Sequence, residues 1–170
     1  MGEMIEFLVG AALIGSGATA VIDGWAVLRA HVLGIPSLDY GLLGRWLILL
    51  ARGQYRHLKI AAPDPAPRER LIGWAAHYLI GIAFAAVLLA IWGLDWLHSP
   101  RVGPALIVGI GSAAAPFLIM QPGMGLGIAA HRAPRPNVAR LNTLLTHAVF
   151  GVGLYAAGWV LRLVQWRGAD

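Results

Sequence analysis

The 170 residues contain no cysteine. That excludes disulfides, thiolate metal sites, iron–sulfur clusters and cysteine nucleophiles. Charge is also scarce. Asp, Glu, Lys and Arg make up 12% of the chain, against about 25% in a soluble domain. What fills their place is apolar. Hydrophobic residues reach 58%, against about 45–50%, and the mean hydropathy is +0.69.

The remaining charges are clustered, which leaves four long apolar runs. Phe7–Leu28 is interrupted by Asp23 alone. Leu71–Leu94 carries His77, Val102–Gln121 carries no charge, and Leu141–Leu161 carries His147. A hydrocarbon core takes about 20 apolar residues to cross, and a lipid-embedded segment must satisfy its own backbone, so each run is read as a helix. The expected fold is all-α: a four-transmembrane-helix bundle in a single membrane domain over 1–170. Its helices are expected at about 5–31, 71–94, 102–121 and 140–163, with a first loop over 32–70. Little of the chain is left for a soluble catalytic domain. Acidic Glu3 and Glu6, with no basic n-region, argue against a cleaved signal peptide.

The net charge of +5 is read as a membrane signature, since basic residues flank membrane spans. The bilayer is the expected partner, and nucleic acid is not. Arg29, Arg45, Arg52, Arg56, Lys59, Arg68 and Arg70 lie in or beside the first loop, and Arg132, Arg135 and Arg140 in the third. Only Arg101, Arg162 and Arg167 lie on the other side. This excess puts loops one and three in the cytoplasm, with both termini outside. Trp92, Trp96, Trp159 and Trp166 then fall near the outer interface, where indoles concentrate. The segment 37–52 holds Leu42, Leu43, Trp46, Leu47, Leu49 and Leu50 beside Arg45 and Arg52. It is too short and too charged to span, so an interfacial amphipathic helix is expected there.

Helices two and four resemble each other. His77 and Gly81 align without gaps with His147 and Gly151, and Ala86 aligns with Ala156. Gly15-Ser16-x-Ala18 echoes Gly111-Ser112-x-Ala114 more weakly. These matches suggest a 2+2 helix-pair repeat, an architecture known among membrane proteins.

Four polar residues share a depth. His77 and His147 each lie six residues into their helices, roughly 9 Å. Asp23, on the opposite course, falls roughly 8–15 Å deep, and Gln121 ends the third span. Ionisable groups inside spans are costly, face the bundle interior and mark function by default. The leading reading is a site of Asp23, His77, Gln121 and His147 that binds a small ligand or ion, in a carrier, channel or proton relay, without group-transfer catalysis. One alternative is a redox protein or metalloenzyme, in which His77 and His147 ligate haem b or, with Asp23, a divalent metal. Another is a structural or accessory subunit of a larger membrane complex, with these residues as interhelical hydrogen bonds. Abundant span glycines also suit a homo-oligomer. Gln121-Pro122-Gly123-Met124-Gly125-Leu126-Gly127 reads as a glycine-rich helix exit, with a re-entrant or flexible gate as the alternative. Ser16 and Ser112 show no nucleophile elbow and no adjacent base.

Several stretches resemble a catalogued family: Gly17-Ala-Thr-Ala-Val-Ile-Asp23-Gly-Trp25, Gly34-Ile-Pro-Ser37, Gly44-Arg45-Trp46, Gly73-Trp-Ala-Ala-His77-Tyr78, Met120-Gln-Pro122 and Leu145-Thr-His147-Ala-Val-Phe-Gly151. They are similar to the small bacterial integral membrane proteins called domain of unknown function 2938. The resemblance implies an integral membrane location. It also implies that Asp23, His77, Gln121 and His147 belong to the family's pattern. It carries no activity.

Overall fold

A computed structural model describes residues 2–35 and 38–167, with side chains as far as Val164. Pro36, Ser37 and the side chains of Trp166 and Arg167, all used in the sequence reading, lie outside the described residues. Every regular element among the described residues is helical. Helix α1 spans Gly2–Leu33, α2 Tyr40–Ala51, α3 Glu69–Trp92, α4 Asp95–His98, α5 Val102–Gly111, α6 Gln121–Met124 and α7 Pro136–Arg167. A π-helical turn over Pro116–Met120 joins α5 to α6. Four segments are long and apolar enough to cross a membrane: α1, α3, Val102–Met124 and α7 as far as Val164.

The boundaries have local causes. No proline interrupts α1, which stops at Gly34, where φ is 64° and a side chain would be strained. Three prolines precede α3, which ends at Gly93 with φ 74°. Pro136 occupies the first position of α7, where its missing N–H costs nothing. The third span is not the continuous helix expected. Pro116 cannot donate a backbone bond, and the chain passes through a turn and a π-helical stretch before α6.

Close helix crossings occur at glycines. A Cβ on Gly81 would collide with the Thr19 hydroxyl, and one on Gly15 with the backbone of Ile82. In the same way, Gly109 lies against the backbone of Gly151. The α1/α3 and α5/α7 pairs thus cross alike, each one turn beyond a histidine. The equivalent of Gly15 is Gly109, two residues from the Gly111 that the sequence echo selects; Gly111 faces open space. The dyad is incomplete, because α1 packs extensively on both α3 and α7 while α3 and α5 barely meet.

The main core lies between α1, α3, α5 and α7, with Ile14, Leu88, Leu97, Phe150 and Leu154 buried. Trp96 belongs to this core as well. It is fully buried, and its Nε1 donates to the Arg101 carbonyl at 3.1 Å. At that end of the bundle α4 turns it inward onto Gly158, so it packs on protein.

Helix α2 lies within the expected interfacial segment. Half of its residues are buried, and Leu43, Trp46 and Leu49 form a second core with Ile60 and Met124. Its approach to α3 is very close: a Cβ on Gly73 would overlap the Tyr40 carbonyl, and one on Gly44 the Glu69 carbonyl. Arg45 anchors the contact. It donates to both Glu69 carboxylate oxygens, at 2.8 and 2.9 Å, and to the Pro63 carbonyl at 2.8 Å. The Gln121–Gly125 stretch is packed against α2 and the first loop. Trp46 covers Gly123, and the N–H groups of His57 and Ile60 donate to the carbonyls of Gly123 and Met124.

Candidate functional site

Asp39 caps α2 by accepting from the Gly41 N–H at 2.8 Å. The cap fixes where α2 begins and so holds Tyr40 in its first turn. The Gly44–Gly73 contact then presses that turn onto α3, where Tyr40 stacks on His77 with ring centroids 4.2 Å apart. Two turns further along α3 than Gly73, the Gly15–Gly81 crossing brings α1 close enough for the short Asp23 side chain to reach His77.

The result is a four-residue polar cluster. His77 Nε2 lies 3.0 Å from Asp23 Oδ1 and 2.9 Å from the Tyr40 hydroxyl. Tyr78 donates to Asp23 Oδ2 at 3.0 Å, and Tyr40 is within 3.5 Å of Oδ1. Trp74 closes one side, its ring 4.6 Å from that of Tyr40. Burial, and then the charge of Asp23, hold the Tyr40 hydroxyl well above the ordinary phenol range, so it keeps its proton. The cluster is not sealed: 14% of the His77 side chain and 21% of the Asp23 side chain remain accessible.

The cluster has two proton arrangements. In one, Nε2–H donates to Asp23. In the other, Nε2 is unprotonated and accepts from Tyr40.

The other two predicted residues lie elsewhere. Ser112 Oγ donates to the Gly109 carbonyl at 2.5 Å, so His147 Nδ1, 2.6 Å from that oxygen, must be the donor to it. That puts a proton on Nδ1. Ser112 thus does have an adjacent histidine, against the sequence reading. The bond polarity is wrong for an activated nucleophile, because the imidazole gives the hydroxyl a proton contact and takes none. Gln121 is 6% exposed and donates through Nε2 to Thr143 at 3.3 Å. The structure joins Asp23 to His77, pairs His147 with Ser112 and pairs Gln121 with Thr143. Among the described residues no group of three or more His, Asp or Glu converges to hold a metal, so Asp23, His77 and His147 do not form one ligand set. His77 Nε2 is engaged by Asp23 and Tyr40, and α3 meets α7 through the Phe84–Phe150 ring contact.

Sequence reasoning missed Tyr40, Tyr78 and Ser112. The Asp39 cap before Tyr40 was a usable signal, as was the position of Tyr78 beside His77. Nothing local marks Ser112 as the partner of His147.

Four apolar spans around a partly accessible acid–imidazole–phenol cluster define a multi-pass helical membrane protein. The chain belongs to the DUF2938 family of proteins of unknown function, whose pattern it matches over residues 12–161. Comparison with curated proteins and with solved structures found no match.

Proposed function

We propose that the protein exchanges protons at an intramembrane Asp23–His77 site, acting as a proton relay or as the proton-coupled binding site of a small ligand or ion. One observation carries the reading: a carboxylate in an apolar span is held by an imidazole and a phenol, yet stays partly accessible. A purely structural hydrogen bond between transmembrane helices is worth about 0.6 kcal/mol on average, a small return for placing an ionisable group in a span. The reading puts the cluster near the cytoplasmic face, on the strength of the Lys and Arg distribution, in the bacterial cytoplasmic membrane that the family resemblance implies.

The test is proton flux in proteoliposomes that enclose a pH-sensitive dye. After an external acid pulse the wild-type protein should collapse the gradient. Asp23→Asn should fall to the rate of protein-free vesicles, and Ser112→Ala should keep the wild-type rate. A folded Asp23→Asn protein that conducts like wild type would refute the reading.

A further inference from the structure

Three buried donors lack an acceptor: Trp25 Nε1, Arg29 Nε and Trp159 Nε1. They belong to two similar pairs. The Arg29 guanidinium carbon lies 5.9 Å from the Trp25 ring centroid, and that of Arg162 lies 4.7 Å from the Trp159 ring. Among the described residues, neither guanidinium pairs with a carboxylate. Buried polar groups almost always find a partner. Donors gathered beside a guanidinium with no carboxylate in contact call for an anionic group that only accepts, such as a phosphate.

The position of the pairs narrows the source of that phosphate. Helices α1 and α7 are antiparallel, with Ala18 against Gly153 and Gly17 against Ala157. By that register Arg29 is level with about Thr143 on α7. Some 19 residues of helix then separate the two arginines, about 28 Å at 1.5 Å per residue. A bilayer's hydrocarbon core is about 30 Å thick. Each arginine therefore sits at one edge of the core, with its indole on the inner side. Leu28 and Val32 beside Arg29, and Val160 and Leu163 beside Arg162, are exposed, which is where acyl chains would lie.

We propose that Trp25–Arg29 and Trp159–Arg162 are two clamps for the phosphate groups of membrane phospholipids, one at each face of the bilayer. Each clamp supplies a guanidinium for charge and an indole N–H for direction, and the exposed aliphatic residues take the chains. Both pairs lie near helix C-termini, where the backbone dipole repels an anion. The attraction therefore depends on the arginines.

The test uses the full chain in detergent, with bound lipids counted by native mass spectrometry during titration with dioleoylphosphatidylglycerol. Parallel titrations use dioleoylphosphatidylcholine, dioleoylglycerol and inorganic phosphate. Either phospholipid should occupy two tight sites, and neither dioleoylglycerol nor inorganic phosphate should fill them. Arg29→Gln and Arg162→Gln should each weaken one site about tenfold, and the double variant should lose both. Arg162 is exposed, so its variant should fold and keeps the test decisive even if Arg29→Gln does not. Unchanged occupancy in Arg162→Gln would overturn the proposal. So would equal retention of dioleoylglycerol, or displacement of lipid by inorganic phosphate.

Discussion

Replacing Gly73 with alanine should separate α2 from α3 and silence the site without touching a polar residue. The added Cβ would overlap the Tyr40 carbonyl and crowd Gly44 N at 3.1 Å. The main obstacle is backbone, so no rotamer change relieves it. Non-bonded atoms settle at about 3.5–4.0 Å, so α2 has to back away by more than about 1 Å. Overpacking of this kind costs about 1–3 kcal/mol, offset in part by the roughly 1 kcal/mol that alanine gains over glycine in a helix. The control is Gly24→Ala, where a Cβ meets nothing within 4 Å and only the gain of up to about 1 kcal/mol applies. The two variants should thus differ by roughly 1–3 kcal/mol. Thermal unfolding in detergent, followed by circular dichroism, should place Gly73→Ala below wild type and Gly24→Ala at or above it. Tyr40 moves with α2, so Gly73→Ala should also slow proton flux. Equal melting temperatures for the two variants, or wild-type stability and flux in Gly73→Ala, would refute the packing and its link to the site.

Tyr78→Phe removes a donor to a charged carboxylate while keeping the ring; the loss should be about 1.5 kcal/mol, the low end for such bonds because the side chain is half-buried, read as a lower melting temperature. Arg45→Gln leaves Glu69 without its partner, and the arginine and glutamate side chains are only 8% and 15% exposed. The cost should approach the roughly 3 kcal/mol found for broken buried pairs. Faster proteolysis between Arg52 and Arg68 should accompany it, because the Pro63 carbonyl loses its donor. A C-terminal reporter that is active only outside the cytoplasm should be active, and activity from a cytoplasm-only reporter would reverse the charge-based orientation.

The four spans were legible because hydropathy is local, and a run free of charge declares itself. The first half of the site was legible for the same reason: Asp23 and His77 stand out in apolar segments, and their depths match. The rest depended on which faces of the helices meet. His147 shares the expected depth range but faces α5, where Ser112 takes its Nδ1. Gln121 is turned toward Thr143. The repeat was visible at His77-Gly81 and His147-Gly151, whereas its counterpart on α1 and α5 was displaced by two residues, since Gly109 makes the crossing and Gly111 does not. Tyr40 escaped notice because a tyrosine near an interface is ordinary. Its role arises from a cap, a glycine contact and a ring stack together.

The Trp46–Gly123 contact and the two backbone bonds from His57 and Ile60 to Gly123 and Met124 tie the first helix pair's loop to the second pair's exit. They act as a strut between halves that a rocking carrier would have to move apart. Each hydrogen bond is worth about 1 kcal/mol, and the apolar contacts around Trp46 add to the toll on every cycle. The proposed proton exchange between Asp23 and His77 needs no such opening, because the two side chains are already hydrogen-bonded. Under the proposed proton exchange the strut can stay closed throughout, and the scaffold can stay rigid while the charge moves.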